Sequence, residues 1–418
     1  MQRLMFISMG FCGLVSPAIA QFVESDVEVL HEVRSEAEGD QFGWIAQPID
    51  DVDGDGVIDY AASAPFKMLD GANAGRVYML SGRTGEVLWL RNGMGGSLLG
   101  IELTPAGDVD GDGIGDVFAG AVGLSTAFVF SGKDGSFVFR RSLNDPAFYA
   151  RAGSGVGDIN QDGHDDVLVG APRFDKGRGR AYLYSGKDGE LLRTFDGEDE
   201  GDFFANAVDG WTDESSSMLV IGATNAGEGD RGRVYVYDGR SGKLKFTIDA
   251  LETGQQLGRM FVSVVGDVDA DGVPDVYASD FADDQQTGRV YVHSGATGER
   301  LHTWAGENAG DGFGIGSAEA GDIDGDGHDD LIIGAWQYGG GAPTGGKVYL
   351  FSGKTGEIMR TITSNVENDT FGFDATNIGD ANGDGVNDFL ITSAWSEVNG
   401  KQSGRLFVIS GKPGKPAN

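Results

Sequence analysis

The sequence is almost without cysteine. Its single thiol, Cys12, falls inside an apolar leader, so no disulfide can brace the rest of the chain. Positive charge is scarce as well: 31 Lys and Arg stand against 65 Asp and Glu, a formal charge of −34. That balance argues against nucleic acid or an anionic membrane surface as a partner. No apolar run is long enough for a membrane-spanning helix. The longest, residues 4–15, follows Met1-Gln2-Arg3 and precedes Ser16-Pro17-Ala18-Ile19-Ala20. This reads as a secretory signal peptide over residues 1–20, cut after Ala20, which places the mature protein outside the cytoplasm: in the periplasm, at the cell surface or in the medium. Histidine is rare, with five in the chain. There is no nucleophile elbow, zinc-ligand pair or phosphate loop, and no catalytic residue is designated. These absences argue only weakly against an enzyme.

What is present is repetition. Asp51-Val52-Asp53-Gly54-Asp55-Gly56-Val57-Ile58-Asp59 recurs with loop starts at 51, 108, 158, 267, 322 and 380. Counted from each start, positions 1, 3, 5 and 9 carry a carboxylate or an amide. They are Asp51, Asp53, Asp55 and Asp59; Asp108, Asp110, Asp112 and Asp116; Asp158, Asn160, Asp162 and Asp166; Asp267, Asp269, Asp271 and Asp275; Asp322, Asp324, Asp326 and Asp330; and Asp380, Asn382, Asp384 and Asp388. Position 6 is always Gly. Hard oxygen ligands from alternate residues can converge on one Ca²⁺, and Gly allows the tight turn that brings them round. About six calcium ions are therefore expected. They would bring the formal charge to about −23 once Arg3 is removed with the leader.

The gaps between loop starts are 57, 50, 109, 55 and 58, so one repeat has lost its loop. Other landmarks find it. An aromatic residue or Leu followed by a small residue precedes each unit: Phe42-Gly43, Leu99-Gly100, Tyr149-Ala150, Phe204-Ala205, Leu257-Gly258, Phe313-Gly314 and Phe371-Gly372. There are thus seven repeats. In the fourth, Gly210, Thr212, Glu214 and Met218 stand at the ligand positions and cannot hold calcium in the same way. Each repeat holds four short runs rich in Val, Tyr, Phe and Ile between Gly turns, which predicts four antiparallel strands and hence a propeller blade. In the second repeat the third strand looks shortened, at 127–132. The last repeat lacks a fourth strand, while an orphan strand at 26–33 precedes Phe42-Gly43. That strand is expected to complete the last blade and close the ring.

The repeat resembles the FG-GAP repeat of the integrin alpha-subunit propeller and its secreted bacterial relatives. The residues that carry the resemblance are Phe313-Gly314, Gly321-Asp322-Ile323-Asp324-Gly325-Asp326-Gly327-His328-Asp329-Asp330 with the apolar run that follows, and Gly170-Ala171-Pro172. The resemblance covers nearly all of residues 26–411. It implies an all-β, seven-bladed propeller of four-stranded antiparallel blades, one unit over residues 21–418. The blades fall near 42–90, 99–141, 149–195, 204–248, 257–304, 313–362 and 371–411, the last completed by 26–33. It also implies calcium between the innermost strand and the next, with the position-7 residues Val57, Ile114, His164, Val273, His328 and Val386 offering a backbone carbonyl. His164 and His328 are then expected to be bystanders that point outward.

Two other patterns have bland readings. Asp213-Glu214-Ser215-Ser216-Ser217 contains the spacing of a metal-dependent adhesion site, but without its doubly wound sheet it reads as a polar turn. Ser81-Gly82-Arg83-Thr84-Gly85 before Trp89 reads as a hairpin turn. The connections between second and third strands should lie opposite the calcium loops. There Phe281, Trp336, Tyr338 and Trp395 are candidates for a ligand face, where rings could stack on a sugar or anchor a protein. The competing reading is that they pack against their own loops. The expectation is a calcium-binding, monomeric binding or adhesion module with a protein or glycan ligand. The alternatives are a lectin or carbohydrate-active enzyme using the same mouth, and a purely structural surface-layer component.

Overall fold

The computed structural model describes residues 21–143, 147–316 and 318–412. The expected signal peptide, with Cys12, lies outside the described residues. Seven antiparallel sheets make seven blades; six have four strands, and in the sixth blade the first strand is split into Phe313–Ile315 and Glu319–Gly321. The first blade runs Ala46–Pro48, Tyr60–Ala64, Arg76–Leu80 and Val87–Asn92. The seventh takes Ala375–Gly379, Asp388–Ser393 and Arg405–Ile409 from one end of the chain and Val29–Arg34 from the other. Val33 pairs with Leu406 and Arg34 with Arg405. The all-β propeller and its closure by the N-terminal strand are thus as expected, with the strand itself set three residues later at its start.

Blade edges alternate by chain direction. At one end of each blade the aromatic–small pair meets the end of the second strand, as where Gly43 N–H donates to Ser63 O at 2.9 Å. At the other end the acidic loop joins the first strand to the second, and Gly82 N–H in the turn between strands three and four reaches Asp59. The acidic loops therefore occupy one face. The aromatic–small pairs and the connections between strands two and three occupy the other.

The second strands are buried throughout, as in Tyr60–Ala64 and Asp388–Ser393, because each blade is covered by a neighbour on both faces. The apolar core divides accordingly. Seven clusters each join two adjacent blades, including one between blades seven and one. A glycine opens most third strands for a steric reason. At Gly346 the backbone runs at φ +90° against the start of the next blade, and a Cβ would sit 2.1 Å from Phe371 O.

The rim is laced by side chains that the local pattern did not mark. Donors on one outer strand reach carbonyls in the next blade's hairpin turn: Trp89 to Gly132 at 2.6 Å, Arg141 to Gly189 at 3.0 Å, Arg193 to Arg240 at 3.1 Å. The series continues with Lys245 to Gly295 at 2.9 Å, Trp304 to Gly356 at 2.9 Å and Arg360 to Ser410 at 2.9 Å. At the seventh junction His31 Nε2 instead meets the Tyr60 hydroxyl at 3.2 Å. The hairpin turn before Trp89 is as read, but the indole docks across the blade boundary.

Residues 21–24 add a further anchor. Phe22 is buried edge-on against Phe371 and Phe407, with ring centroids 5.2 and 5.8 Å away. Val23 N–H donates to Thr363 O at 2.9 Å, and Glu24 accepts from Thr363 N–H at 2.7 Å. In the second blade the third strand is not shortened: Thr126–Phe130 has the same five residues as its equivalents. What is short is the connection before it, a single turn at Val122–Leu124.

Candidate functional site

Each acidic loop is built the same way. The position-1 carboxylate accepts backbone N–H groups of positions 5 and 6, as Asp51 does from Asp55 and Gly56, both at 2.9 Å. The position-5 carboxylate accepts the N–H of position 7, as in Asp55 with Val57 at 2.9 Å and Asp271 with Val273 at 2.9 Å. Position 6 has φ between 86° and 90° in all six loops, a conformation open to Gly. These bonds draw the acidic side chains inward. In four loops one oxygen each from three carboxylates lies within 4.8 Å of the others: Asp51, Asp53 and Asp59; Asp108, Asp110 and Asp116; Asp267, Asp269 and Asp271; Asp322, Asp324 and Asp330. Oxygens that could each stand about 2.3–2.6 Å from one ion have such separations, so the donor set fits a hard divalent cation. In blades three and seven Asn160 and Asn382 take position 3, and each amide oxygen accepts the N–H of position 5, at 3.0 and 2.9 Å.

The ninth residue does separate work. Asp116 is buried and accepts three N–H groups: Val109 at 3.0 Å, Asp110 at 3.2 Å and Gly132 at 3.1 Å. Asp59, Asp166, Asp275 and Asp388 repeat this arrangement. Burial pushes the carboxyl up to about 6 at Asp59 and about 7 at Asp116, Asp166 and Asp275, with the N–H bonds opposing it. The fourth blade departs as expected. Phe204–Thr212 and Ser217–Ala223 form one long hairpin, and Met218, buried, replaces the ninth aspartate. Ser215 and Ser216 N–H both fold back on Asp213 Oδ1, a closed polar turn.

Neighbouring loops touch. His164 Nδ1 lies 2.9 Å from Val109 O, and His328 Nδ1 lies 2.8 Å from Val268 O. Neither ring points outward; each bridges sideways to the loop of the preceding blade. The aspartate that follows does the same: Asp165 accepts Asp108 N–H at 2.8 Å and Asp329 accepts Asp267 N–H at 2.7 Å. The shared triplet His-Asp-Asp at 164–166 and 328–330 was the available signal for this contact.

The opposite face differs from blade to blade. The residue after the aromatic–small pair is Trp44, Ile101, Arg151, Asn206, Arg259, Ile315 and Phe373 in blades one to seven. The same position is thus apolar over blades six, seven, one and two, and cationic or amide over blades three to five. On the apolar side Trp336 and Trp395 cross edge to face with centroids 4.9 Å apart, and Trp336 and Trp44 pack on Phe373 at 5.6 and 5.0 Å. The indole N–H groups of Trp336 and Trp395 are buried without a partner among the described residues. These rings pack on one another across the blade boundary. Phe281 stands elsewhere, under the Arg259 guanidinium at 5.8 Å. Tyr338 lies apart from both tryptophans, bonded to Glu307 at 3.3 Å beside Lys347.

Between the halves runs a central cavity of about 270 Å³ lined by Trp44, Glu102, Arg151, Asp209, Phe261 and Glu319 among others. Arg151 is 3.3 Å from Glu102, whose carboxyl burial raises to about 8. Asp209 accepts from Ser154 Oγ at 2.7 Å and Val264 N–H at 2.9 Å, joining three blades, and burial raises it to about 6.

Comparison with known proteins agrees with this geometry. The FG-GAP repeat matches residues 151–184 and 316–351, and the FG-GAP-like repeat matches residues 267–333. The chain carries FG-GAP repeats on a propeller similar to integrin alpha chains. It is 30% identical to integrin alpha-5 of Xenopus laevis over 202 residues, covering 43% of this chain and 19% of the relative. Identity to integrin alpha-11 of Homo sapiens is 35% over 112 residues, 24% of this chain and 9% of the relative. With integrin alpha-V of Gallus gallus it is 29% over 204 residues, 43% of this chain and 19% of the relative. The FG-GAP propeller thus matches about a fifth or less of each of these relatives' own length. No helix among its described residues is long and apolar enough to cross a membrane.

Proposed function

We propose that this FG-GAP propeller is a secreted, calcium-binding module of binding or adhesion. Its six acidic loops each take one Ca²⁺ through positions 1, 3, 5 and 9 and the carbonyl of position 7. The calcium is structural, because each ion sits at the same turn of a repeated blade and draws together carboxylates that otherwise repel. The ligand, a protein or glycan, is received at the opposite mouth. The observation that carries this reading is the contrast between the two faces. One repeats the same loop six times, whereas equivalent positions on the other change from tryptophan to arginine. Uniformity suits a scaffold, and variety suits recognition.

The half-buried Trp336 and Trp395 rings, crossed edge to face at the mouth, are the ligand contacts of this reading. The alternative, a lectin or carbohydrate-active enzyme in the same mouth, is favoured by the channel carboxylates Glu102 and Asp209, which share the central cavity with Trp44 and Phe373. Glycan arrays and pull-downs with the calcium-loaded protein test both. Loss of binding at least tenfold in Trp336→Ala and Trp395→Ala, with melting temperature within a few degrees, is expected. Binding untouched by both changes would remove the mouth from the reading, and turnover of a polysaccharide would establish the enzyme.

A further inference from the structure

The cationic half of the mouth has a concavity of its own, of about 300 Å³, between blades three, four and five. Three guanidiniums line it, Arg151, Arg173 and Arg259, in a chain whose formal charge is −34. Arg151 has Glu102. The other two have no carboxylate within ion-pair distance among the described residues, although acidic side chains outnumber basic ones twofold. The Arg173 guanidinium carbon lies over the Phe148 ring, 4.1 Å from its centroid, and the Arg259 guanidinium bonds only the neutral Gln256 side chain. Burial and the adjacent Arg151 charge both act against the Arg259 cation. Arg173 and Arg259, without a carboxylate partner among the described residues, are costly to gather beside Arg151 unless a ligand brings one.

The remaining walls narrow the chemistry. Asn206 donates its amide hydrogens to Thr224 Oγ1 at 3.0 Å and Arg259 O at 2.8 Å. Asn225 donates to Gly201 O at 3.0 Å. Their amide oxygens therefore remain as acceptors. A bare inorganic anion has no hydrogen to give those acceptors, but a sugar hydroxyl has. Phe148, 36% exposed, supplies a ring against which the C–H face of a sugar can lie. The volume is on the scale of a small ligand.

We propose that this hollow binds an acidic sugar, a uronate residue whose carboxylate takes the Arg173 and Arg259 guanidiniums while its hydroxyls meet Asn206 and Asn225. The site is separate from the aromatic half and does not depend on the role given to Trp336 and Trp395.

Calorimetric titration of the calcium-loaded protein with trigalacturonate tests this, with free calcium held constant because uronates also chelate it. Binding is expected, with the methyl-esterified trisaccharide at least tenfold weaker. The double variant Arg173→Gln/Arg259→Gln should lose at least tenfold in affinity at an unchanged melting temperature. Trp336→Ala should keep uronate affinity within twofold, which separates this site from the proposed aromatic one. Equal binding of the ester, or a double variant that binds like wild type, would overturn the proposal. So would triglutamate binding as tightly as the uronate, since the hollow would then read a carboxylate and not a sugar.

Discussion

Arg405 Nη2 lies 2.8 Å from Asp369 Oδ2, both side chains buried, at the seam where the first and last strands meet. Arg405 also reaches Glu32 on the N-terminal strand at 2.9 Å, so one guanidinium ties both ends of the chain to the seventh blade. Asp369→Ala removes the better-buried partner and should cost about 3–5 kcal/mol, the usual penalty for orphaning a buried charge. Urea unfolding of the two proteins measures it. A loss under about 1 kcal/mol would mean that strand pairing alone holds the seam.

Calcium should raise stability in steps. At tenfold above its Kd each site adds about 1.4 kcal/mol, so six independent sites add about 8 kcal/mol, comparable to a whole domain's net stability. Excess EGTA is expected to lower the melting temperature markedly. An unchanged melt would show that the loops are not stabilising metal sites.

Positions 3 and 9 of one loop should behave differently. Asp110 is a ligand candidate, whereas Asp116 also accepts three backbone N–H groups. Asp110→Ala should destabilise chiefly in calcium, because without it only the exposed bond from Asp112 N–H is lost. Asp116→Ala should destabilise by about 1–3 kcal/mol with or without it, because buried donors lose their partner. Equal calcium dependence in paired thermal melts would contradict that division.

The contact from Asp165 to Asp108 N–H should couple two loops. Asp165→Ala is expected to weaken calcium binding by the second-blade loop about fivefold, roughly 1 kcal/mol for one lost bond, although Asp165 holds no ligand position of that loop. Calcium titration of single-loop knockouts would resolve it.

His31 sets an acid limit. Burial lowers its pKa from 6.5 to about 4, and its Nδ1 has no partner. The folded state keeps the ring neutral while the unfolded chain protonates below about 6.5. The contribution is therefore complete above that pH and is lost as pH falls towards 4. A melting-temperature profile over this window should be flatter in His31→Phe; identical slopes would count against it.

The acidic loops were legible as repeated turns because each is closed by carboxylates at fixed intervals bonding backbone N–H groups, with Gly where φ is positive. Closure was legible because a blade one strand short and a spare strand at the other end complement each other. The lacing was not: Arg193 meets Arg240 and His164 meets Val109 across a blade boundary, and a donor bonding a backbone carbonyl leaves no requirement on the residue opposite. The arm at residues 21–24 escaped for the same reason, since Glu24 bonds Thr361 and Thr363, residues with no local periodic relation to it. Trp336 and Tyr338, two residues apart, went to different neighbourhoods, one across the mouth and the other beside Lys347.

The seam also has a mechanical side. Val29 pairs with Ile409 at the end of the strand pair where the two chain directions leave together. Tension between those points would open the pair like a zipper, one rung at a time, which is the weak direction of an antiparallel ladder. Phe22, lodged against Phe371 and Phe407 of the seventh blade, lies upstream of the first rung. Load entering from residue 21 must pull an aromatic ring out of its socket before any rung is strained.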